Sequence, residues 1–537
     1  MVLPDSFHAA YSKALRLAQG WQRLLRQPVK LLPMHQVPAI RLRAMNHAPI
    51  QPSGHFVLYW MIANRRLTAN FSLDRALELC GELHKPLVIL EALRCDYRWA
   101  SDRLHGFVLD GMRDNAAECQ RYGITCFCYL EPAPHSGSGL LQALAADACA
   151  VVTDDFPCFF LPRMVNAAAG KLPVLLEAVD SNGLLPLRAT EQVFARAFDF
   201  RRYLQKTLPA HLSQVPRNHP LRGAAIARHA TLPAAITKRW LPANKDILEK
   251  GQSLLARLPI DHETRPSAIE GGHTAGRRRL MDFLRRKLSR YPAERNEPDL
   301  DATSGLSPYL HFGHLSVHEV FLELAQLEDW RPGKLPFQST GARQGSWNMS
   351  GPAENFLDEL VTWREAGFNF CSHRADYDRY DSLPLWARTT LERHARDERE
   401  RLYTLEEFDS ATTHDPLWNA AQNQIVREGR MHNYMRMLWG KKILEWSRSP
   451  REAARIMTEL NNKYGIDGRD PNSYSGIFWV LGRYDRPWGP ERPVFGTVRY
   501  MSSQNTARKL SVRGYLEKYA GRLPQDSPIR LSSAFER

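Results

Sequence analysis

Short apolar runs alternate with amphipathic stretches over the first part of the chain. Between about Gly54 and Leu212 the apolar runs are HFVLYWMIA, PLVILEAL, ITCFCYLE, CAVVTDDF and LPVLLEAV, and helical patterns such as SLDRALELCGELHK lie between them. Continuous apolar strands separated by helices are typical of a parallel sheet covered on both faces. The pattern therefore predicts an α/β doubly wound parallel-sheet domain over residues 54–210.

The pattern changes after this domain. Residues 211–242 are rich in Pro, His and Arg, which predicts an interdomain linker. Residues 243–512 lack strand signals and show helical periodicity, which predicts an all-α domain. A basic N-terminal extension over residues 1–53 and a C-terminal tail over 513–537 complete the organisation. Within the helical part, the polar segment 331–351 is a loop or insertion to which the sequence assigns no role.

Length and charge narrow the class of protein. The 537 residues exceed one ordinary domain, so two or more packed cores are expected. The formal net charge of +14 favours an anionic partner, most commonly a nucleic acid, although a merely basic soluble enzyme would explain the charge as well.

Cysteine usage and hydropathy exclude several further classes. The eight cysteines are scattered and form no CxxC pair or Cys/His cluster with zinc spacing, so we expect reduced thiols in a cytoplasmic protein and no structural metal. The chain contains no apolar run long enough to span a bilayer, so we expect no transmembrane helix.

The stretch SGLSPYLHFGHLS, residues 304–316, carries the first candidate chemistry. Serine hydroxyls and free backbone N–H groups before a proline-initiated helix make an anion site suited to a diphosphate. An ordinary capped helix explains the same spacing. A second candidate lies in FLDELVTWREAGFNF, where Glu359 and Trp363 are four residues apart and share a helical face. They can bind a flat, hydrogen-bonding ligand, or they are a surface carboxylate beside a core indole.

Three tryptophans occupy two neighbouring helical stretches. HDPLWNAAQNQIVREG begins with an Asp-Pro pair suited to a helix start and ends at Gly429, a suitable helix stop. The next stretch, RMHNYMRMLWGKKILEW, carries Trp439 and Trp446, and an antiparallel return would align Trp418 with them. Three aligned indoles are either core packing or a chain of redox-active side chains.

Several of these segments together resemble one family. SGLSPYLHFG, HDPLWNAAQ, MHNYMRMLWGKKILEW, NNKYGIDGRDPN and ERPVFGTVRYM are similar to the motifs of class II cyclobutane pyrimidine dimer photolyases, within the photolyase/cryptochrome superfamily. The resemblance extends over about residues 54–512 and is dense from residue 290 onward. It implies the same order of an α/β domain followed by a helical FAD-binding domain.

The resemblance also implies a cofactor and the residues that hold it. FAD, reduced in the active state, would bind bent inside the helical domain. The residues implied to line its phosphate and ribityl region are Tyr291, Ser304, Gly305, Leu306 and Ser307. Arg436 and Asp467 would form an ion pair beside the isoalloxazine, and Asn461, rather than Asn472, would face flavin N5. Gly468 and Arg469 follow in the same cofactor loop. Whether the first domain holds an antenna chromophore, and which one, stays open on the sequence alone.

The implied substrate is UV-damaged DNA, from which the pyrimidine dimer is flipped into a pocket. Excited flavin would then send an electron to the dimer and recover it after the ring splits. The residues implied to contact the dimer are Glu359, Trp363, Met437 and Trp479, and the implied path for flavin reduction runs outward through Trp439, Trp418 and Trp446. Lys441 and Lys442 are expected to face phosphate or solvent. We expect a monomer.

Two other functions stay open on the sequence alone. A cryptochrome-like blue-light photoreceptor would keep the flavin and the tryptophans without repair, although the presence of the implied dimer-contacting residues argues against it. A flavin-free basic nucleic-acid-binding scaffold would satisfy the charge alone, and the absorbance spectrum of the protein separates it from both flavoproteins.

Overall fold

The computed structural model describes residues 36–224, 226–227, 229–336 and 338–521. The first 35 residues of the predicted basic extension and the tail from residue 522 lie outside the described residues. The description below concerns the unit that begins at Pro38.

A six-stranded sheet forms the first half of this unit. Its strands are β1 (Leu42–Ala44), β2 (Phe56–Met61), β3 (Leu87–Leu93), β4 (Thr125–Leu130), β5 (Ala148–Asp154) and β6 (Leu176–Val179). Their order is β1-β6-β5-β2-β3-β4, and every neighbouring pair is parallel except β1 with β6. All five predicted strands are confirmed, and the doubly wound α/β class holds.

The antiparallel edge strand β1 is the part of the sheet that the sequence pattern did not predict. Leu42 pairs with Val179 and Ala44 with Glu177, so three residues of the predicted extension belong to the sheet. The strand is short and its burial shows no alternation, which leaves no periodicity to recognise.

In the described chain, seven α-helices lie between these strands and directly after them. They are α1 (Phe71–Leu83), α2 (Asp102–Tyr122), α3 (Leu140–Ala146), α4 (Leu161–Ala169), α5 (Ala197–Thr207), α6 (Ala234–Arg239) and α7 (Asn244–Lys250). Ser101 caps the start of α2 through the N–H of Leu104, and Gly123 ends it with a left-handed φ of 68°. Part of the predicted linker is itself helical, and Trp240 at its end donates from Nε1 to the carbonyl of Ser136 at 3.0 Å.

The rest of the described chain is helical, as predicted. Its α-helices are α8 (Gly272–Asp282), α9 (Tyr291–Glu294), α10 (Ser307–His311), α11 (Val317–Leu327), α12 (Gly351–Leu357), α13 (Arg364–His373), α14 (Leu385–Arg393), α15 (Leu405–Asp409), α16 (Pro416–Glu428), α17 (Asn433–Trp446), α18 (Pro450–Tyr464), α19 (Pro471–Val480), α20 (Ser503–Lys509) and α21 (Arg513–Tyr519). Asp415 caps α16 by accepting from the N–H groups of Leu417 and Trp418 at 3.0 Å, and Gly429 ends it. The predicted start and stop of this helix are confirmed.

Two short π-helical turns interrupt the helical half. One spans Phe283–Lys287, and the other spans Asp358–Trp363 between α12 and α13, so residues 351–373 run as one helical rod with a π segment in its middle. A π segment inserted into an α-helix is rare and is frequent at functional sites. In this part of the chain no helix is both long enough and apolar enough to cross a membrane.

Candidate functional site

The helical half encloses a cavity of about 550 Å³. This volume lies inside the range of roughly 300–1,000 Å³ that is usual for cofactor and ligand sites. The predicted site residues that line it are Tyr291, Ser304, Gly305, Leu306, Ser307, Glu359, Trp363, Arg436, Met437, Trp439, Asn461, Asp467 and Trp479. Residues from seven separate segments of the sequence therefore meet in one place, and we call it the helical cavity.

An ion pair lies in the wall of the helical cavity. Arg436 on α17 donates from Nη2 to Asp467 Oδ1 at 3.0 Å, and the hydroxyl of Ser307 donates to the other carboxylate oxygen at 2.8 Å. Burial alone would raise the pKa of Asp467, but the Arg436 guanidinium and the Ser307 hydrogen bond hold it below its ordinary value. Asp467 is therefore ionised, while Nε of Arg436 is buried without a hydrogen-bond partner among the described residues.

Arg469 stabilises the loop that carries Asp467 through hydrogen bonds to its backbone. Its guanidinium donates to the carbonyl oxygens of Asn462, Gly465 and Ile466, and only 2% of the residue is exposed. Gly468 is needed because a Cβ there would lie 2.7 Å from the carbonyl oxygen of Asn461. Neither Gly468 nor Arg469 lines the helical cavity, so the structure places both as supports of the loop.

The side-chain NH2 group of Asn461, near the end of α18, donates hydrogen bonds to two neighbouring residues. Nδ2 donates to the hydroxyl of Ser473 at 2.7 Å and to Asn462 Oδ1 at 3.2 Å. Among the described residues no group donates to its Oδ1. The side chain, which lines the cavity, is therefore set up as a hydrogen-bond acceptor.

Glu359 lies within the π-helical segment and forms an ion pair that the sequence did not predict. Arg295 donates from Nη1 to its Oε1 at 2.6 Å, and the same guanidinium lies 5.4 Å from the centre of the Tyr291 ring. Burial raises the pKa of Glu359 above its ordinary value, although the positive charge of Arg295 opposes the rise. Arg295 occupies a short polar segment without any motif, so no sequence signal was available to find it.

Aromatic side chains complete the same side of the helical cavity. Trp363 packs edge to face against Tyr484, with ring centres 6.3 Å apart, and both line the cavity. Trp363, Met437 and Trp479 are all half-buried. Indole and thioether surfaces that are partly exposed inside a cavity are suited to a flat, apolar ligand.

The two lysines that follow Trp439 correct a prediction. Lys441 and Lys442 were expected to face phosphate or solvent, but they are only 1% and 6% exposed. Lys441 donates to the carbonyl oxygen of Val480 and its Nζ lies 5.3 Å from the centre of the Trp479 ring, while Lys442 pairs with Glu445 at 2.6 Å. Burial lowers the pKa of Lys441 from its ordinary value of 10.5 to about 7. Helix α17 is enclosed on most sides, which helical periodicity alone does not reveal.

The three predicted tryptophans form a continuous path away from the helical cavity. Trp439 lines the cavity, and its backbone carbonyl accepts a hydrogen bond from Trp418 Nε1 at 3.0 Å. The ring centres of Trp418 and Trp446 are 6.2 Å apart. All three indoles are at most 4% exposed. The half-buried Tyr403 packs on Trp446 at 5.7 Å on the outward side, and the sequence analysis missed it.

Charged side chains that the sequence analysis missed also surround Ser304 and Gly305. Arg279 donates from Nε to the carbonyl of Ser304 at 2.9 Å, and a Cβ at Gly305, whose φ is 65°, would lie 2.6 Å from that guanidinium. Arg279, Lys287 and Arg430 all lie within ion-pair distance of Asp301. These three cations give the segment a positive surrounding, which suits an anionic group.

A second cavity of about 380 Å³ lies beside the sheet. Its walls include residues that follow the carboxyl ends of three parallel strands: Arg65 after β2, Arg94 after β3 and Glu131 after β4. Ligands of open α/β sheets bind at this edge. Arg469 lines this cavity, and His311 lines both cavities. We call it the sheet cavity.

Comparison with known proteins places this architecture. No family model matches the chain. A protein of Methanothermobacter thermautotrophicus named deoxyribodipyrimidine photo-lyase is 34% identical over 486 residues, which cover 90% of this chain and 99% of that protein.

Two solved structures share the fold. A class III photolyase from Agrobacterium tumefaciens superposes with a TM-score of 0.62 at 16% identity, covering 87% of this chain and 86% of that one. A cryptochrome from Synechocystis sp. PCC6803 superposes with a TM-score of 0.59 at 17% identity, covering 88% of this chain and 89% of that one. By its sequence similarity over nearly its whole length, the chain belongs to the deoxyribodipyrimidine photo-lyase family.

Proposed function

We propose that this protein is a class II DNA photolyase that binds FAD in the helical cavity and uses light to split cyclobutane pyrimidine dimers in DNA. The observation that carries the proposal is the meeting of two sets of residues in one cavity. The Arg436–Asp467 pair and Asn461 form one set, and Glu359 with Trp363, Met437 and Trp479 forms the other. A cofactor and a substrate can therefore lie in contact.

The residues of the cavity fit the proposed cofactor. The guanidinium of Arg436 has an unpartnered buried Nε, and its partner Asp467 is ionised, so a polar ring edge would find both donors and acceptors there. The cations around Asp301 lie beside the Ser304–Ser307 segment, where an anionic diphosphate would gain favourable electrostatic energy. FAD, when bound and reduced, supplies the light-excited electron for the reaction.

The chain's own residues tune that site. Asn461 presents an acceptor oxygen, which suits a ring nitrogen that carries a proton. Arg436 balances negative charge in the cavity, and Asp467 keeps the guanidinium from being buried unpaired. Trp439, Trp418 and Trp446 extend from the cavity toward Tyr403 and provide a route by which electrons reach it.

The second set of residues suits a flipped dinucleotide. Trp363 and Trp479 offer apolar faces against which the fused pyrimidines can pack, and Met437 lines the same cavity. Glu359 can hydrogen-bond the edge of a base, and burial raises its pKa while the positive charge of Arg295 opposes the rise. Arg295 fixes the position of this carboxyl group.

A repair assay tests the proposal. Purified protein with fully reduced flavin is mixed with a duplex that contains one thymine dimer, illuminated with blue light, and assayed for restored thymines against a dark control. We expect light-dependent restoration. A yellow protein that photoreduces without repair would favour the cryptochrome-like photoreceptor, and a colourless protein that cannot be reconstituted with FAD would favour the nucleic-acid-binding scaffold.

We infer the remaining properties from the same site. UV-damaged DNA is the partner, and a monomer suffices because all residues proposed to act come from one chain. The eight free cysteines fit a reducing, cytoplasmic location.

A further inference from the structure

Two tryptophans pack the polar segment 331–351, to which the sequence assigned no role, onto the helical half. Trp330 precedes the segment and Trp347 lies within it, their ring centres are 6.0 Å apart, and each lies 5.4 Å from Phe321 on α11. Trp330 also donates from Nε1 to the carbonyl oxygen of Trp347 at 2.6 Å. Trp330 and Trp347 are therefore held together against α11.

Hydrogen bonds fix the backbone on both sides of Arg343, near the tip. Gln205 on α5 accepts from the N–H of Gly341 and donates to the carbonyl of Ala342, both at 2.8 Å. On the other side, the carboxylate of Glu354 accepts from the N–H groups of Gly345 and of Trp347. Hydrogen bonds at Gly341, Ala342 and Gly345 therefore hold the backbone from which the Arg343 side chain projects.

Arg343 lines the helical cavity at its solvent side, near Glu359, and is exposed. Its guanidinium makes no hydrogen bond or ion pair with the residues that the structure describes. The other arginines and the lysine in the cavity wall each have a partner: Arg295 with Glu359, Arg364 with the carbonyl of Asn182, Arg430 with Asp301, Arg436 with Asp467 and Lys518 with Glu428. Among the described arginines of this wall, Arg343 is therefore the one whose whole guanidinium is left for a ligand, whereas Arg436 keeps only an unpartnered buried Nε beside its bond to Asp467.

We propose that Arg343 binds a backbone phosphate of the DNA strand that carries the flipped dimer, so that the backbone around Arg343 borders the substrate entrance. The proposal rests on the proposed function. A guanidinium matches the geometry of a phosphate and can bind it through two parallel hydrogen bonds. Phosphates of a flipped nucleotide stay at the rim while the bases enter the pocket, and Arg343 lies at that rim.

The test compares Arg343→Ala with Arg331→Ala. Arg331 belongs to the same segment and is also exposed, but it does not line the cavity, so it controls for the loss of one positive charge. Binding of a duplex with a single thymine dimer is measured by fluorescence anisotropy at several salt concentrations. We expect Arg343→Ala to weaken binding about fivefold to tenfold and to reduce the salt slope by about one phosphate contact. Arg331→Ala stays within about twofold of the parent.

One further readout separates this role from others. Arg343→Lys should keep the parental salt slope, which a purely structural role of the guanidinium would not explain.

Other outcomes overturn the proposal. Equal affinities of Arg343→Ala and Arg331→Ala would remove the phosphate contact. Loss of bound FAD from Arg343→Ala, seen as reduced flavin absorbance per protein, would assign the side chain to the cofactor instead. A parent protein that fails to prefer dimer-containing over undamaged DNA would defeat the proposed function itself, and with it this inference. Failure of the parent is thereby distinguished from failure of the variant alone.

Discussion

The helical cavity and the sheet cavity share a wall but are built differently. The helical cavity has charged pairs in its wall, Arg436 with Asp467 and Arg295 with Glu359. The sheet cavity is lined largely by apolar and aromatic side chains such as Trp60, Tyr129 and Phe159. Charged pairs restrict a site to few ligands, whereas an apolar slot between strand ends accepts many. Of the predicted site residues that line a cavity, all line the helical cavity except Arg469, which lines the sheet cavity.

The shared wall consists of the loop at residues 467–470 and helix α10. Asp467 and Asp470 line the helical cavity, Arg469 lines the sheet cavity, and His311 lies between them with Nδ1 at 3.3 Å from Asp470 Oδ2. The loop at residues 467–470 and His311 therefore lie between the two cavities, and a substitution there reaches both.

The largest effect is expected from Arg469→Met, which removes the bonds from the guanidinium to three backbone carbonyls. Buried acceptors left unpaired cost about 1–3 kcal/mol each, so we expect the free energy of unfolding to fall by several kcal/mol in total. Because the residue supports both cavities, bound flavin should be lost as well. Urea unfolding and flavin absorbance measure the two effects. Retained flavin with lowered stability would show that the loop serves the sheet side alone.

Trp418→Phe should act on the helical side only. The indole donates to the carbonyl of Trp439 and lies 6.2 Å from Trp446, so a phenyl ring breaks the redox path while keeping most of the packing. We expect photoreduction of oxidised flavin to slow at least tenfold, with repair intact after chemical reduction. The measurement is flavin bleaching under blue light in the presence of a reductant. Normal photoreduction would argue against the path.

Glu359→Gln should lower the repair yield several-fold and leave FAD binding unchanged. Glutamine keeps the shape of the side chain but removes the negative charge that pairs with Arg295 and replaces one acceptor oxygen by a donor NH2 group. The quantum yield of repair and the flavin content of the purified variant are the two measurements. An unchanged quantum yield would remove Glu359 from the substrate side of the cavity.

The smallest effect is expected from Lys441→Met, and it depends on pH. Burial lowers the pKa of Lys441 from 10.5 to about 7, so the unfolded chain binds a proton more readily than the folded one. Wild-type stability therefore carries a penalty that is full below about pH 7 and disappears as the pH rises toward 10.5. The variant should be more stable by about 1–3 kcal/mol at pH 7, since a methionine removes a buried charge.

Thermal unfolding at pH 6, 8 and 9.5 measures this difference between the parent and Lys441→Met. The advantage of the variant should shrink toward the highest pH. Arg451→Met offers a matched control, because Arg451 is an exposed cation paired with Asp381 at the surface. A difference that does not change with pH would show that Lys441 is not titrating in the folded protein.

The sequence predicted those strands and helices whose boundaries are marked by neighbouring residues. The five long strands are continuous apolar runs, and α16 starts at an Asp-Pro pair and ends at a glycine, so each carried its own boundaries. Strand β1 has three residues and pairs with a strand more than 130 positions away, so nothing near it in sequence marks it.

The sequence predicted the site residues that belong to motifs, and it missed individual side chains that lie outside any motif. Arg295 and Arg343 stand in polar segments and reach the cavity only through tertiary packing. The burial of Lys441 depends on neighbours such as Val480, which the helix alone does not specify. The same side chain of Val480 leaves no room at Gly440, where a Cβ would lie 2.7 Å from one of its methyl groups.

The π segment at Asp358–Trp363 gives the helical rod one wide turn within otherwise α-helical geometry. Because a π segment can be read as one residue inserted into an α-helix, the loss of a single codon there would restore regular geometry without breaking the rod. The flanking helices would keep nearly their present orientation, because the wide turn takes up the extra residue locally. The change would be confined to the turn that carries Glu359 and Trp363, where the spacing of the two side chains along the cavity wall would shift. A one-codon deletion in the gene therefore alters this pair while the two ends of the rod stay in place.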